Sequence, residues 1–253
     1  ACHAPHGSSH PQALQEEKDK LCETCHDRTD GDFIAKHHGL EVSYKACLGC
    51  HDPHGSTNPK LVMEISHQPL SEGKCEECHD KPKPGQPIRI RQPVPGLCYR
   101  CHKEKEKELK EQNVHTPVRD GSCTECHNPH AGRVAGLLMK PGAELCIDCH
   151  TENKSDPRYL TQHKPVREGK CVQCHEAHTS PEKAQLTAPL LTLCGQCHKD
   201  KAVNHPVGGH PMGEIKIDDK VVKVLLCTDC HDPHRSRQKK LLKGETWACQ
   251  QCH

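Results

Sequence analysis

HTPVRDGSCTECHNPH, residues 115–130, places three histidines around one pair of cysteines. His127 directly follows Cys126, His115 lies eight residues before Cys123, and His130 ends the stretch after Asn128 and Pro129. The central pattern recurs as CETCH (22–26), CLGCH (47–51), CEECH (75–79), CYRCH (98–102) and CTECH (123–127). It continues as CIDCH (146–150), CVQCH (171–175), CGQCH (194–198), CTDCH (227–231) and CQQCH (249–253). These ten copies take 20 of the 21 Cys, and His follows the second Cys in every one. Since 24 of 253 residues are His, ten coincidences would have a chance on the order of 10⁻¹⁰.

The chemistry explains the spacing. Two thiols three residues apart can each add to one of two neighbouring vinyl groups on a porphyrin edge, and the next residue then lies under the ring, where an imidazole binds iron. The thioether cysteines would be Cys22, Cys25, Cys47, Cys50, Cys75, Cys78, Cys98, Cys101, Cys123 and Cys126, then Cys146, Cys149, Cys171, Cys174, Cys194, Cys197, Cys227, Cys230, Cys249 and Cys252. The proximal ligands would be His26, His51, His79, His102, His127, His150, His175, His198, His231 and His253. A disulfide framework leaves these histidines unexplained. Zinc sites need no His at the fifth position, and iron–sulfur clusters use tighter groups of Cys. The cofactor expected is covalent haem c.

Composition agrees. Only 32 % of residues are hydrophobic, mean hydropathy is −0.85, and Phe33, Tyr44, Tyr99, Tyr159 and Trp247 are the sole aromatics. Such a chain cannot bury a sizeable core of its own. The porphyrins would supply the apolar interior, and haem-free protein would be largely unfolded. Formal net charge is +1, basic residues are balanced, and stacking aromatics are scarce, which excludes a nucleic-acid partner. No apolar run is long enough to span a bilayer, and the N-terminus lacks a signal-peptide shape.

Cys2-His3 reads as the end of an eleventh motif, with His3 as proximal ligand and the first Cys two positions before Ala1. The sequence is then part of a longer polypeptide; the alternatives are a single-thioether haem or an unused Cys. From Cys75 the motif starts are separated by 23, 25, 23, 25, 23, 33 and 22 residues, a two-motif unit of about 48. One form carries Gly-x before the motif and His three residues after it, as in GSCTECHNPH, and predicts turn and loop. The other follows Leu, as in LCYRCH, and predicts a short helix, clearest in PGLCYRCHKEKEKELKEQ (95–112). EIKIDDKVVKV (214–224) alternates apolar and polar residues and predicts a β-hairpin inside an insertion at about 203–224. The predicted fold is mostly coil and loops with short α-helices and very little β, one continuous haem-repeat array over 1–253.

Thirteen histidines remain. His6, His54, His130, His178 and His234 each lie three residues after a first-form proximal His, while His67, His115 and His163 lie eight residues before a first-form Cys. His37 or His38 precedes Cys47, His205 or His210 precedes Cys227, and His10 stands apart. Ten placed histidines for ten complete motifs predict bis-histidine ligation. The expected assignment gives the upstream His to its own first-form motif, so that His67, His115 and His163 serve Cys75, Cys123 and Cys171. The downstream His goes to the next second-form motif: His6 to Cys22, His130 to Cys146, His178 to Cys194 and His234 to Cys249. Pro82 occupies the downstream position of the Cys75 motif, and His54 would serve Cys98. His10, a spare His or a neighbouring chain would complete the site at Cys2.

The HxPVxxGxCxxCHxPH units and their LCxxCH partners resemble the doubled-CxxCH multihaem c-type cytochromes of bacteria and archaea, over nearly the whole chain. The resemblance implies closely packed bis-His haems, little regular secondary structure, and assembly outside the cytoplasmic membrane. Some such cytochromes form extracellular filaments in which haems continue between subunits. The resemblance thus implies an extracellular or cell-surface location, or a periplasmic one, and partners among redox proteins, extracellular acceptors and copies of the chain itself. Pro82, the truncated Cys2 motif and the insertion before Cys227 depart from the pattern.

Two imidazoles on every iron leave no position for substrate, so electron transfer without catalysis is the expected function. The rival is a multihaem reductase for nitrite, hydroxylamine or a sulfur oxyanion, which needs one open iron; a purely structural or haem-storage role is the third class.

Overall fold

A computed structural model describes residues 2–40, 42–83, 86–154, 156–201, 205, 213–217 and 219–244. The motif at Cys249, Cys252 and His253, together with His210, lies outside the described residues. The chain packs as two units, Ala1–Cys101 with Gly121–Met139, and His102–Asp120 with Lys140–His253.

The second-form motifs begin on short helices, Lys18–Glu23, Gly96–Tyr99, Gly142–Ile147 and Leu190–Gly195. Proline stands at the residue before three of them, Pro95, Pro141 and Pro189, where its fixed φ and missing N–H cost the helix nothing. The helix predicted over 95–112 is two pieces, Gly96–Tyr99 and Lys103–Glu108. The break falls at His102, whose φ of −89° and ψ of 56° are not helical. His150 takes nearly the same angles, −85° and 59°, so the proximal residue turns out of the helix in both.

The first-form motifs occupy one tight turn each, Cys75–Glu77, Cys123–Cys126, Cys171–Gln173 and Cys227–Cys230. Their proximal histidines continue in extended backbone, as at His127 with φ −115° and ψ 137°. Each bridges antiparallel to a residue further along: His3 to Leu14, His51 to Val62, His79 to Ile90, His127 to Leu138, His175 to Leu186 and His231 to Leu242. Serine closes several of these loops from inside. Buried Ser180 donates its hydroxyl to the carbonyl of Leu186 at 2.6 Å, and Ser8, Ser56 and Ser236 do the same to Leu14, Val62 and Leu242.

Two-residue strands join distant segments. Ile65–Ser66 pairs with Ala131–Gly132, Asn113–Val114 with Thr179–Ser180, and Thr161–Gln162 with Arg235–Ser236, all antiparallel. The predicted hairpin forms between Gly213–Ile217 and Lys220–Leu225, with an irregularity at Ile215/Lys216 and Asp219 at φ 61°. Among the described residues regular structure is otherwise limited to short helices and turns in coil, as the sequence predicts. Among the described residues the buried apolar side chains are Leu14, Val114, Ala131 and Leu225, far too little apolar area to offset the chain entropy of folding. No described helix is long and apolar enough to cross a membrane.

The Gly-x-Cys signature has a steric basis. Gly73, Gly121 and Gly169 take φ of 66°, 75° and 70°, in the left-handed region that an L side chain occupies at a cost of about 1–2 kcal/mol. A Cβ on Gly121 would meet Pro95 Cδ at 2.5 Å, and one on Gly169 would meet Ala143 Cβ at 2.8 Å. Gly121→Ala and Gly169→Ala are each expected to destabilise the haem-loaded protein by about 2–4 kcal/mol, read as a lower Tm at unchanged haem content.

Candidate haem-binding site

Every described motif cysteine is exposed or half-buried, and no disulfide joins any two of them. Their thiols lie where a macrocycle edge can reach them. Successive motifs also approach one another through these atoms. Burial and the neighbouring Cys123 thiol push the Cys98 thiol up, and the two share a hydrogen bond. Burial and the Cys227 thiol push Cys194 up to about 11 in the same way. Burial likewise raises Cys78, with Cys101 among its neighbours, and Cys174, with Cys197 beside it. Thioether-bearing edges are therefore adjacent from Cys75 through Cys98 to Cys123 in one unit, and from Cys171 through Cys194 to Cys227 in the other.

Imidazoles come together in opposed pairs. Ring centroids are 6.0 Å apart for His3 and His54, 5.9 Å for His79 and His130, and 6.1 Å for His115 and His150. They are 6.1 Å apart for His163 and His198, and 5.9 Å for His175 and His234. These five pairs are within 13–25° of parallel. His37 faces His51 at 6.3 Å and 63°, and His205 faces His231 at 6.2 Å and 70°.

The spacing fits a metal. A metal–imidazole bond is about 2 Å and the ring centre lies about 1.1 Å beyond its nitrogen, so two imidazoles on opposite sides of one iron have centroids about 6.2 Å apart. Among the described residues no three His, Cys, Asp or Glu side chains converge on a common point. Donors in opposed pairs suit a macrocycle that brings four equatorial nitrogens of its own, and do not suit a bare zinc ion.

Hydrogen bonds to the backbone fix which ring nitrogen is available. Nδ1 of His3, His51, His127, His175 and His231 lies 2.7–3.0 Å from the carbonyls of Gln12, Lys60, Gly136, Ala184 and Lys240. Nδ1 of His67, His115 and His163 lies 2.9–3.1 Å from the carbonyls of Pro129, Ala177 and Pro233. An Nδ1–H that donates to a carbonyl leaves Nε2 as the metal-binding nitrogen.

The strand pairs explain how the second histidine arrives. The backbone N–H of His67 donates to the carbonyl of His130 at 2.8 Å, that of His115 to His178 at 2.8 Å, and that of His163 to His234 at 2.9 Å. Each upstream His is thus clamped to the downstream His of a later first-form motif. The short acidic or amide residue before the downstream His shapes its turn: Asp52, Asn128 and Asp232 accept from the backbone N–H of His54, His130 and His234 at 2.9–3.0 Å.

The pairing differs from the sequence-based assignment. His115 was expected to face His127 and instead faces His150; His163 was expected opposite His175 and instead faces His198. His130 faces His79 rather than His150, His234 faces His175 rather than reaching Cys249, and His54 faces His3 rather than serving Cys98. The cause is long-range: the strand clamp turns the upstream and downstream histidines toward different motifs. The downstream position of each next first-form motif supplies the facing ring in three of these pairs. After Cys47 that position holds Pro82, and His37 faces His51 in its place. His37 ends the helix Gly31–Lys36, its ring 4.1 Å from Phe33 and its Nδ1 2.8 Å from the Phe33 carbonyl.

His6, His10 and His38 are not brought opposite another imidazole among the described residues; His38 has left-handed backbone with φ 55° and lies against Gly73. His26 is exposed, its backbone N–H donating to the Cys22 carbonyl at 3.0 Å. His102 lies 3.7 Å from Glu104, and His178 lies 4.0 Å from Glu108. The carbonyl acceptors and the Asp/Asn turn residues escaped the sequence reading; only the Asp-Pro-His and Asn-Pro-His spelling signalled the latter.

Attachment turns, opposed imidazoles and scarce protein core together define a multihaem c-type cytochrome, able to bind several haem c groups through its CxxCH motifs. The chain belongs to the doubled CXXCH motif family, whose model matches residues 1–31, 37–64, 67–107, 115–155, 163–203 and 220–253. Compared with curated proteins, the chain has no significant match.

If each opposed pair serves one iron, removing His79 and His130 together is expected to cost one low-spin haem. Removing His127 and His130 together is expected to cost two. Quantitative low-temperature EPR of the ferric protein counts them. Burial, foremost, pushes the imidazoles of His130, His163 and His234 below the ordinary value of 6.5. A depressed folded value means that unfolded chains take up protons first, so this contribution to stability is present above pH 6.5 and is lost as pH falls below it. Iron holds the same ring nitrogens against protons, so conversion of haem from low to high spin is expected only on acidification below that range, reversibly, followed in the Soret band.

Proposed function

We propose that the protein conducts electrons along a row of ten or eleven bis-histidine haems, one for each of ten complete motifs and one at Cys2. The observation that carries this reading is the recurrence of imidazole pairs 5.9–6.3 Å apart beside motif cysteines that touch their successors. Haem c supplies an iron that takes up and returns one electron. The chain's residues do the rest. Cysteines would tether each macrocycle, the facing histidines would hold its iron, and fixed Nδ1 hydrogen bonds would keep those ligands in place through the change of charge, which keeps reorganisation small.

Electron delivery outside the cytoplasmic membrane, at the cell surface or in the periplasm, fits covalent haem attachment in this family. Self-association into a filament is the extended form of the same reading. His54, His130 and His234 each face the proximal His of an earlier first-form motif. His6 stands at the same offset and is exposed, so it is available to an iron held by another CxxCH motif, in a neighbouring copy or a preceding unit.

Two measurements test the proposal. The dithionite-reduced native protein is expected to bind no carbon monoxide, and the oxidised protein to show only low-spin ferric haem by EPR. A haem that is high-spin when ferric and binds carbon monoxide when reduced would mean an open iron and favour the reductase. Electron microscopy of the purified native protein is expected to show filaments; single particles only would restrict the reading to a soluble carrier.

A further inference from the structure

Five of the six first-form proximal histidines share one support. The residue nine positions on, Gln12, Lys60, Gly136, Ala184 or Lys240, sits in the left-handed region with φ between 53° and 70°. The residue after it, Ala13, Leu61, Leu137, Gln185 or Leu241, is left-handed too, with φ between 53° and 60°. Two left-handed residues in succession aim the first carbonyl back at the proximal Nδ1. Four of the five acceptor residues are not glycine, so the strain is accepted in each for the sake of that carbonyl.

His79 lacks the support. Its loop keeps the rest of the register: the Asp80 N–H donates to the Arg89 carbonyl at 3.0 Å as Asp52 does to Leu61, and Arg91 to Cys78 at 2.9 Å as Met63 does to Cys50. Neither Ile88 nor Arg89 is left-handed, however. The His79 Nδ1 is shielded from solvent and has no hydrogen-bond partner among the described residues, although its ring faces His130 like the others.

We propose that the 86–91 segment makes His79 the weakest electron donor among the first-form proximal ligands, and so sets the haem at Cys75 and Cys78 as the most readily reduced of that set. An Nδ1–H that donates to a carbonyl raises the electron density of the imidazole, which favours ferric over ferrous iron and lowers the potential. Without an acceptor that push would be missing, and an electron moving along the row would settle at the iron that His79 would ligate. The loop acts through the ligand and touches no reacting atom, so its residues are positioning residues. The inference rests on the bis-histidine reading above.

The test uses loop exchange, because the loops match in length. Residues 83–91 are replaced by a copy of 55–63, which supplies the left-handed pair and keeps Pro82, so no histidine is added. In the holoprotein, spectroelectrochemical potentiometry is expected to show one haem equivalent moved to lower potential, with haem content and low-spin count unchanged. The reciprocal chimera, with 182–187 replaced by a copy of 86–91, is expected to move one equivalent upward by removing the acceptor of His175. An Arg89→Gln/Arg91→Gln variant alters charge without adding an acceptor and is expected to give the smaller part of the first shift. Unmoved potentials in a chimera with full haem content, or an arginine variant that reproduces the whole shift, overturns the proposal. Loss of folding in one chimera leaves the other to decide. High-spin or carbon-monoxide-binding haem in the unaltered protein would instead defeat the bis-histidine reading, a separate result.

Discussion

The backbone N–H of one histidine donating to the carbonyl of another, some sixty to seventy residues away, is the interaction on which the site depends. It occurs at His67 and His130, His115 and His178, and His163 and His234. In each case it is part of a strand pair only two residues long. Such a pair has little stability by itself. It becomes useful because both partners carry an imidazole beside the ladder, one directed to each of two motifs. His163 faces His198 while His234 faces His175, so one short ladder places imidazoles at two successive attachment motifs.

This economy follows from composition. With four buried apolar side chains among the described residues, the chain cannot rely on packing to locate its elements. It relies on directional contacts: serine hydroxyls closing loops, Asp or Asn shaping the turn before a histidine, and carbonyls holding Nδ1. Covalent tethering of several macrocycles then supplies area that the side chains do not. The resulting design tolerates wide variation in the two residues inside each motif, which only span the gap between thiols.

Departures from the repeat are accommodated locally. Pro82 removes a downstream histidine, and His37 at the end of a short helix faces His51 instead, with its ring turned 63° from its partner's. The five regular pairs stay within 25° of parallel. Ring orientation and the Nδ1 contact thus both differ between otherwise similar motifs, and both are properties through which a polypeptide can tune a bound metal.

What the sequence by itself determined is everything that one turn of chain contains. Two thiols and an imidazole within five residues specify attachment, so each CxxCH, its Gly-x or Leu prefix and the offsets of the other histidines were legible without coordinates. The low apolar content and the hairpin over 214–224 were legible for the same reason, since both are local patterns. Only the tertiary structure decided which histidine faces which. The same spacing fits a partner in the adjacent motif or in the next, and His130 meets His79 because Ile65–Ser66 pairs with Ala131–Gly132. The choice of His37 over His38 turns on helix-end geometry and on the Phe33 ring beneath it. The isolated Nδ1 of His79 turns on the handedness of two loop residues. Contacts across sixty residues and the sign of a backbone dihedral are not written in local spacing, because many chains with that spacing could close their loops differently.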